Sequence, residues 1–233
     1  MQTASYQSRR SQIEIYFDRT AADAWARLTS DLPVSSIRAT VRAGRDEMRQ
    51  TLLAWLPADL TGRRLLDAGC GTGAFAIEAA QRGAQVLAID VSPSLIKIAG
   101  ERCKDLVPQG SIIFEVGDMV DAQFGIFDHV VAMDSLIHYR PEDMVQSLSS
   151  LAPRIRRSML MTFAPKTPLL AAMHLVGRAF PRGDRAPAIE PVAERSLRTR
   201  IKGEKQLLSW DIGQDRRISR GFYTSHALEL IRK

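Results

Sequence analysis

The 233-residue chain has little cysteine, few aromatic residues and no long apolar run. Two cysteines, Cys70 and Cys103, cannot form a disulfide framework or a metal-ligand cluster. No apolar stretch reaches the roughly 18 residues that a membrane span needs; the longest, "PLLAAMHLVGRAF" from Pro168, is broken by Gly177 and Arg178. The opening "MQTASYQSRRSQIEIYFDRT" lacks the apolar core of a secretory signal, which predicts a cytoplasmic protein. Internal repeats and low-complexity tracts are absent. With aromatics at 6%, no base-stacking ladder stands out, which argues against nucleic acid. What is present is enough apolar residue (45%) for a real core and an uneven charge. Residues 1–150 hold 15 Lys/Arg against 19 Asp/Glu, and residues 151–233 hold 17 against 7. That second part suits an anionic partner, or is simply a solvated basic face.

Short apolar strands alternate with helical segments, the pattern of a parallel sheet with helices on both faces. Five strands are expected in "RRLLDAG" (63–69), "AQVLAID" (84–90), "SIIFEVGD" (111–118), "FDHVVAMD" (127–134) and "RSMLMTFAP" (157–165). "KQLLSWDIG" and "RRISRGFYT" are expected to pair antiparallel around "GQD". Ser92 and Pro93 read as the cap and first residue of one helix, and Pro141, Glu142 and Asp143 as the start of another. Val34, Ile37, Val41, Met48, Leu52 and Leu56 predict a long amphipathic helix before the first strand. Residues 1–60 are expected to form a helical cap, 61–233 the main domain, and 166–204 an insertion on the substrate side.

The stretch "LLDAGCGTGAFAIEAA" (65–80) carries Gly69, Cys70, Gly71 and Gly73. It fits a dinucleotide fingerprint, yet Asp67 stands two residues before the first glycine, where it would oppose a pyrophosphate on the helix N-terminus. A cofactor with an ammonium and a sulfonium reverses the sign. Asp90 with Val91 closes the second strand, where a carboxylate can accept both ribose hydroxyls. Gly117, Asp118 and Met119 follow the third, placed for an adenine amino group and ring, and Met133 follows the fourth. Acids at three successive strand ends point to S-adenosylmethionine. Arg42, on the long helix, could meet the cofactor carboxylate or form a surface ion pair.

"LDAGCGTG", "AID", "GDM" and "VVAMDSLIHY", in this order, resemble the Rossmann-like class I methyltransferases, which implies a seven-stranded α/β sheet with an antiparallel final strand. The flanks "YFDRTAADAWARL" (16–28), "VRAGRDEM" (41–48), "MDSLIHY" (133–139), "TFAPKTPLL" (162–170), "AFPRGDRAP" (179–187) and "RGFYTSHALE" (220–229) are similar to the magnesium-protoporphyrin IX O-methyltransferase family, its bacteriochlorophyll branch in particular. The chain departs from cyanobacterial-type relatives at Thr29, where they tend to carry tyrosine. The resemblance implies methylation of a propionate on magnesium protoporphyrin IX, with the magnesium belonging to the substrate and no protein-bound metal. At the reaction centre, His138 could orient the propionate or contact the magnesium, or be a hydrogen-bonded histidine beside the cofactor, and Tyr16 could reach over the cofactor or simply pack; Lys166, Thr167 and Arg182 are candidate propionate contacts or solvated surface, and His174 a candidate magnesium contact or a core or surface histidine. Handover from the porphyrin-binding subunit of magnesium chelatase and peripheral membrane contact are implied as well. A methyltransferase for another small acid, phenol or quinone precursor is the competing enzyme, and an RNA-binding module the competing class.

Overall fold

The computed structural model describes residues 2–19, 22–30, 33, 35–106, 109–166 and 188–233. Five parallel strands build the sheet: β1 (Arg64–Ala68), β2 (Gln85–Asp90), β3 (Ser111–Val116), β4 (Phe127–Ala132) and β5 (Ile155–Phe163). An antiparallel pair, β6 (Trp210–Arg220) and β7 (Tyr223–Arg232), completes it. The order is β3-β2-β1-β4-β5-β7-β6, with β7 antiparallel to β5. This is the seven-stranded Rossmann-like arrangement expected from the sequence.

Side chains alternate across each strand, so adjacent β1 residues serve opposite cores. Leu66 and Ala68 face a core completed by α6 (Pro141–Leu151) and α7 (Glu194–Gly203). Leu65 faces the other, filled from α3 (Ser36–Ala54) by Met48, Leu52 and Leu53, and from α4 (Ala74–Gln81) by Phe75 and Ala76. Chemistry at the helix starts matches the sequence. Ser92 caps α5 (Pro93–Cys103) by accepting from the Leu95 amide at 3.3 Å, and Pro141 opens α6 with Glu142 and Asp143 in its first turn. The expected long helix is α3, capped by Ser35; Leu56 falls just past its end, and Val34 lies outside the described residues. Before it stand α1 (Ala4–Arg19) and the seven-residue α2 (Ala22–Leu28).

One expectation fails. "GQD" is not the turn of the closing pair; β6 runs straight through it with a register shift between Ile212 and Asp215. The hairpin turn is Gly221-Phe222, flanked by the pair Arg220 and Tyr223. Gly221, at φ 54°, takes the position that a two-residue II′ turn reserves for glycine. Gly213 serves the irregularity instead: a Cβ there would lie 2.6 Å from a Glu229 carboxylate oxygen.

The charge asymmetry of the sequence is partly evened in space. Glu47 on α3 pairs with Arg216 at 3.3 Å and Arg220 at 2.7 Å, and Glu142 on α6 pairs with Arg200 at 2.8 Å. No helix among the described residues is long and apolar enough to cross a membrane.

Candidate active site

The carboxyl ends of β1, β2 and β4 open into a cleft of about 220 Å³, roofed by α1 and α2. Parallel strands bring their ends together there, so the three acids found by spacing become neighbours. Asp67, Gly69, Cys70, Gly71, Asp90, Val91, Gly117, Asp118, Met119, Met133, Arg42 and His138 all line it. Gly73 lies one step behind, at φ 80° as the cap of α4, and a Cβ on it would meet the Phe114 ring at 2.9 Å.

Each acid has its own environment. Asp67 is 1% exposed, and burial together with the nearby Asp90 charge pushes its pKa up to about 7, against the Ala76 amide. Its Oδ2 is buried with no hydrogen-bond partner among the described residues, as is the Oγ of Ser135, which also lines the cleft. Orphaned acceptors of this kind on a cleft floor suit a cationic or hydrogen-bonding ligand. Asp90 is held firmly: the Gly71 amide donates to Oδ2 at 2.9 Å and the Ser92 amide to Oδ1 at 3.0 Å. Burial raises its pKa while these amides oppose the rise. The Val91 amide acts on the same carboxylate. Asp118 accepts from the Tyr6 hydroxyl at 2.6 Å and the Val120 amide at 3.2 Å, both on Oδ1, with Arg10 3.6 Å from Oδ2. The residues fit S-adenosylmethionine: Asp67 and Asp90 would meet its cationic end and ribose hydroxyls, and glycines stand where the backbone must come close; of the arginines that line the cleft, Arg42 is bonded to α2 carbonyls, Arg45 to Asp134, and Arg49 to Glu78 and Asp46.

The strand-end acids were found by spacing; their aromatic and basic neighbours were not. Tyr6 on α1 is fully buried, stacked on Tyr139 with ring centroids 4.7 Å apart. Trp25 on α2 has its Nε1 3.3 Å from where a Cβ on Gly71 would stand. The Arg45 guanidinium lies over its ring at 4.6 Å and donates to Asp134 Oδ2 at 2.6 Å. Asp134 is the one non-glycine residue at positive φ (53°) among those described. Its amide donates to Thr162 Oγ1 at 2.7 Å, and its carboxylate accepts from the hydroxyls of Tyr223 at 3.1 Å and Ser225 at 3.2 Å. A left-handed residue held by four other side chains at the floor of a cleft is strain maintained by its surroundings. For α1 a signal existed: Tyr6, Ile13 and Phe17 recur at seven and four residues and all line the cleft.

His138 ends a one-turn helix after β4, is 9% exposed, and has its Nδ1 3.4 Å from the Ala188 carbonyl and its ring edge-on to Phe17 at 6.2 Å. Arg42 donates to the carbonyls of Leu28 and Arg27 at 3.0 and 2.8 Å. Tyr16 does not line the cleft; half-buried, it stands edge-on to Phe17 at 5.1 Å, and Phe17 faces inward in its place. Lys166 is exposed, away from the cleft, its amide bonded to the Val192 carbonyl at 2.9 Å. Thr167, His174 and Arg182 lie outside the described residues. Glu194, Asp215 and His226 form a group of metal-ligating type outside the cleft, and Arg198 already bridges the two carboxylates at 2.9 and 2.5 Å.

The strand order, the antiparallel β7 and the row of strand-end acids define a class I S-adenosylmethionine-dependent methyltransferase, and residues 65–157 match the family model described as "Methyltransferase domain". Residues 132–232 match "Magnesium-protoporphyrin IX methyltransferase C-terminus". The magnesium-protoporphyrin O-methyltransferase of Rhodobacter capsulatus is 48% identical over 229 residues, covering 97% of this chain and 98% of that one. The chain belongs to the magnesium-protoporphyrin O-methyltransferase family. The Synechocystis relative of that name is 31% identical over 93% of this chain and 94% of its own. A crystal structure of magnesium protoporphyrin IX methyltransferase from Synechocystis PCC 6803 with bound SAH superposes with a TM-score of 0.83 at 29% identity, covering 96% of this chain and 99% of that one.

Proposed function

We propose that the protein is a carboxyl O-methyltransferase that converts magnesium protoporphyrin IX to its monomethyl ester in (bacterio)chlorophyll synthesis. The observation that carries the donor half is the row of buried Asp67 and Asp90 and half-buried Asp118 along the cleft that holds the glycine loop. The acceptor half rests on family membership along the whole chain.

The donor supplies a methyl group on a positively charged sulfur. The acceptor is a propionate with a pKa of about 4–5, already ionised at neutral pH, so the reaction needs no catalytic base. The protein must instead align a carboxylate oxygen with the methyl group and keep water out; alignment of this kind can contribute about 7–11 kcal/mol. Attack neutralises an anion and a cation together, so a dry cleft favours the transition state. Ile13, Phe17 and Trp25 from α1 and α2 supply the apolar cover. His138, at the rim of the same cavity, orients the acceptor carboxylate. Residues 1–60 act as the cap, and the 166–204 segment borders the acceptor.

The test is incubation of the purified protein with methyl-labelled S-adenosylmethionine and magnesium protoporphyrin IX, followed by chromatography of the porphyrin. Label in a monomethyl ester is the expected result; no label in the porphyrin, with label transferred in a parallel incubation with a phenolic quinone precursor, would overturn the acceptor assignment. Peripheral membrane contact and handover from the chelatase porphyrin-binding subunit remain part of this proposal, checked by cosedimentation with anionic vesicles and by co-purification with that subunit.

A further inference from the structure

Helix α2 has seven residues, and none of its described side chains is fully buried. A helix so short does not sustain itself in water, so its position over the cleft must be imposed from outside. Two arginines do this. Arg102 from α5 donates to the Ala26 carbonyl at 2.7 Å and the Thr29 carbonyl at 3.1 Å. Arg42 from α3 takes the two carbonyls between them, Arg27 at 2.8 Å and Leu28 at 3.0 Å. Four consecutive carbonyls at the negative end of the helix are thus satisfied by two cations.

Arg102 does a second thing that Arg42 does not. Its Nη1 also donates to Thr72 Oγ1 at 2.8 Å and Thr29 Oγ1 at 3.0 Å. Thr72, 2% exposed and seated between Gly71 and Gly73, donates in turn to Thr29 Oγ1 at 2.8 Å. The Thr29 hydroxyl then donates to the Trp25 carbonyl at 2.8 Å. One guanidinium therefore ties the glycine loop directly to the helix that carries Trp25, and Trp25 lies against Gly71. Trp25, Gly71 and Thr72 line the same cleft, the one that would take the methyl donor.

We infer that Arg102 is a positioning residue of the donor site, which locks Thr72 to the last turn of α2, holds Trp25 over Gly71 and sets how long the donor and its demethylated product stay bound. It acts through Thr72 and Trp25 and does not touch the donor. The clamp itself is polar and charged; Trp25 meets Phe17 edge-on at 5.4 Å, but no described α2 side chain belongs to either core, so the clamp can open without disturbing them. The inference rests on the donor being S-adenosylmethionine but is independent of the acceptor.

The test is a chase of labelled S-adenosylhomocysteine with excess unlabelled compound, on Arg102→Ala, Arg102→Lys and Thr72→Val. Arg102→Ala is expected to release product at least tenfold faster and to raise the donor KM about tenfold, a larger factor than any fall in kcat. Arg102→Lys should recover part of the slow release, because an ammonium reaches one acceptor but cannot span the fork. Thr72→Val, which cuts only the loop link, should release about threefold faster. Unchanged release from folded Arg102→Ala would overturn the inference, as would a lower kcat with donor KM and release both unaltered. If circular dichroism shows that Arg102→Ala does not fold, the decision passes to Thr72→Val on the same readings. Failure of all variants and wild type alike to bind the labelled compound would instead strike the donor assignment.

Discussion

Asp90 on the cleft floor and Trp25 on its cap face the same cavity from different kinds of support. The floor residue ends a strand buried within the sheet, and both its oxygens are fixed by backbone amides of its own and the neighbouring loop. The cap residue sits on a seven-residue helix held by two guanidinium groups from distant helices. A floor built from backbone gives a permanent binding geometry, whereas a cap built from side-chain clamps gives one that can be released at each turnover. An enzyme that must admit a donor, exclude water and then discharge a product needs both.

Breaking the floor should cost most. Asp90→Ala removes the acceptor for the ribose hydroxyls and is expected to weaken S-adenosylhomocysteine binding about fiftyfold, near 2.3 kcal/mol, by calorimetry. Next, His138→Phe should lower kcat about twentyfold while leaving that affinity within a factor of two, since the ring serves the acceptor. A loss beyond about a thousandfold in a folded variant would argue for proton transfer instead.

Asp67 sharpens the contrast through pH. With its pKa near 7 in the ligand-free protein, the carboxyl is mostly protonated at pH 6 and mostly ionised at pH 7.5. Only the ionised form attracts the cationic end of the donor, so product affinity should rise about eightfold from pH 6 to pH 7.5. Asp67→Asn should bind more weakly and lose this rise. The smallest effect is expected for Trp25 alone, one of the two links that Arg102 holds: Trp25→Ala should raise the donor KM about threefold, less than Arg102→Ala, with the sheet unchanged by circular dichroism. A change larger than that of Asp90→Ala would reverse the comparison.

The same contrast explains what could be read from the chain alone. A βα turn keeps its glycines and its acid within a few residues, and each strand end follows its apolar run, so Asp67, Gly69, Asp90 and Asp118 could be placed by spacing. The cap joins residues far apart in sequence. Tyr6 meets Asp118, Arg45 meets Asp134 and Arg102 meets Thr29, and no local pattern announces such pairs. Arg42 was noticed for its position on α3, but its partners in this structure are carbonyls of α2. Tyr16 is the α1 residue the sequence suggests over the cofactor, while helix geometry turns Phe17 to the cleft. The misplaced hairpin has a related cause. "GQD" has turn-forming composition, but its glycine answers a steric demand from Glu229 across the sheet, and the real turn hides behind the bulky Phe222.

Titration calorimetry at pH 7.5 with S-adenosylmethionine, S-adenosylhomocysteine and NADH tests most directly whether buried carboxylates at the strand ends select a cationic donor. Micromolar binding of both sulfur compounds with no heat from NADH is the predicted result. Tight NADH binding with no response to either sulfur compound would contradict the account.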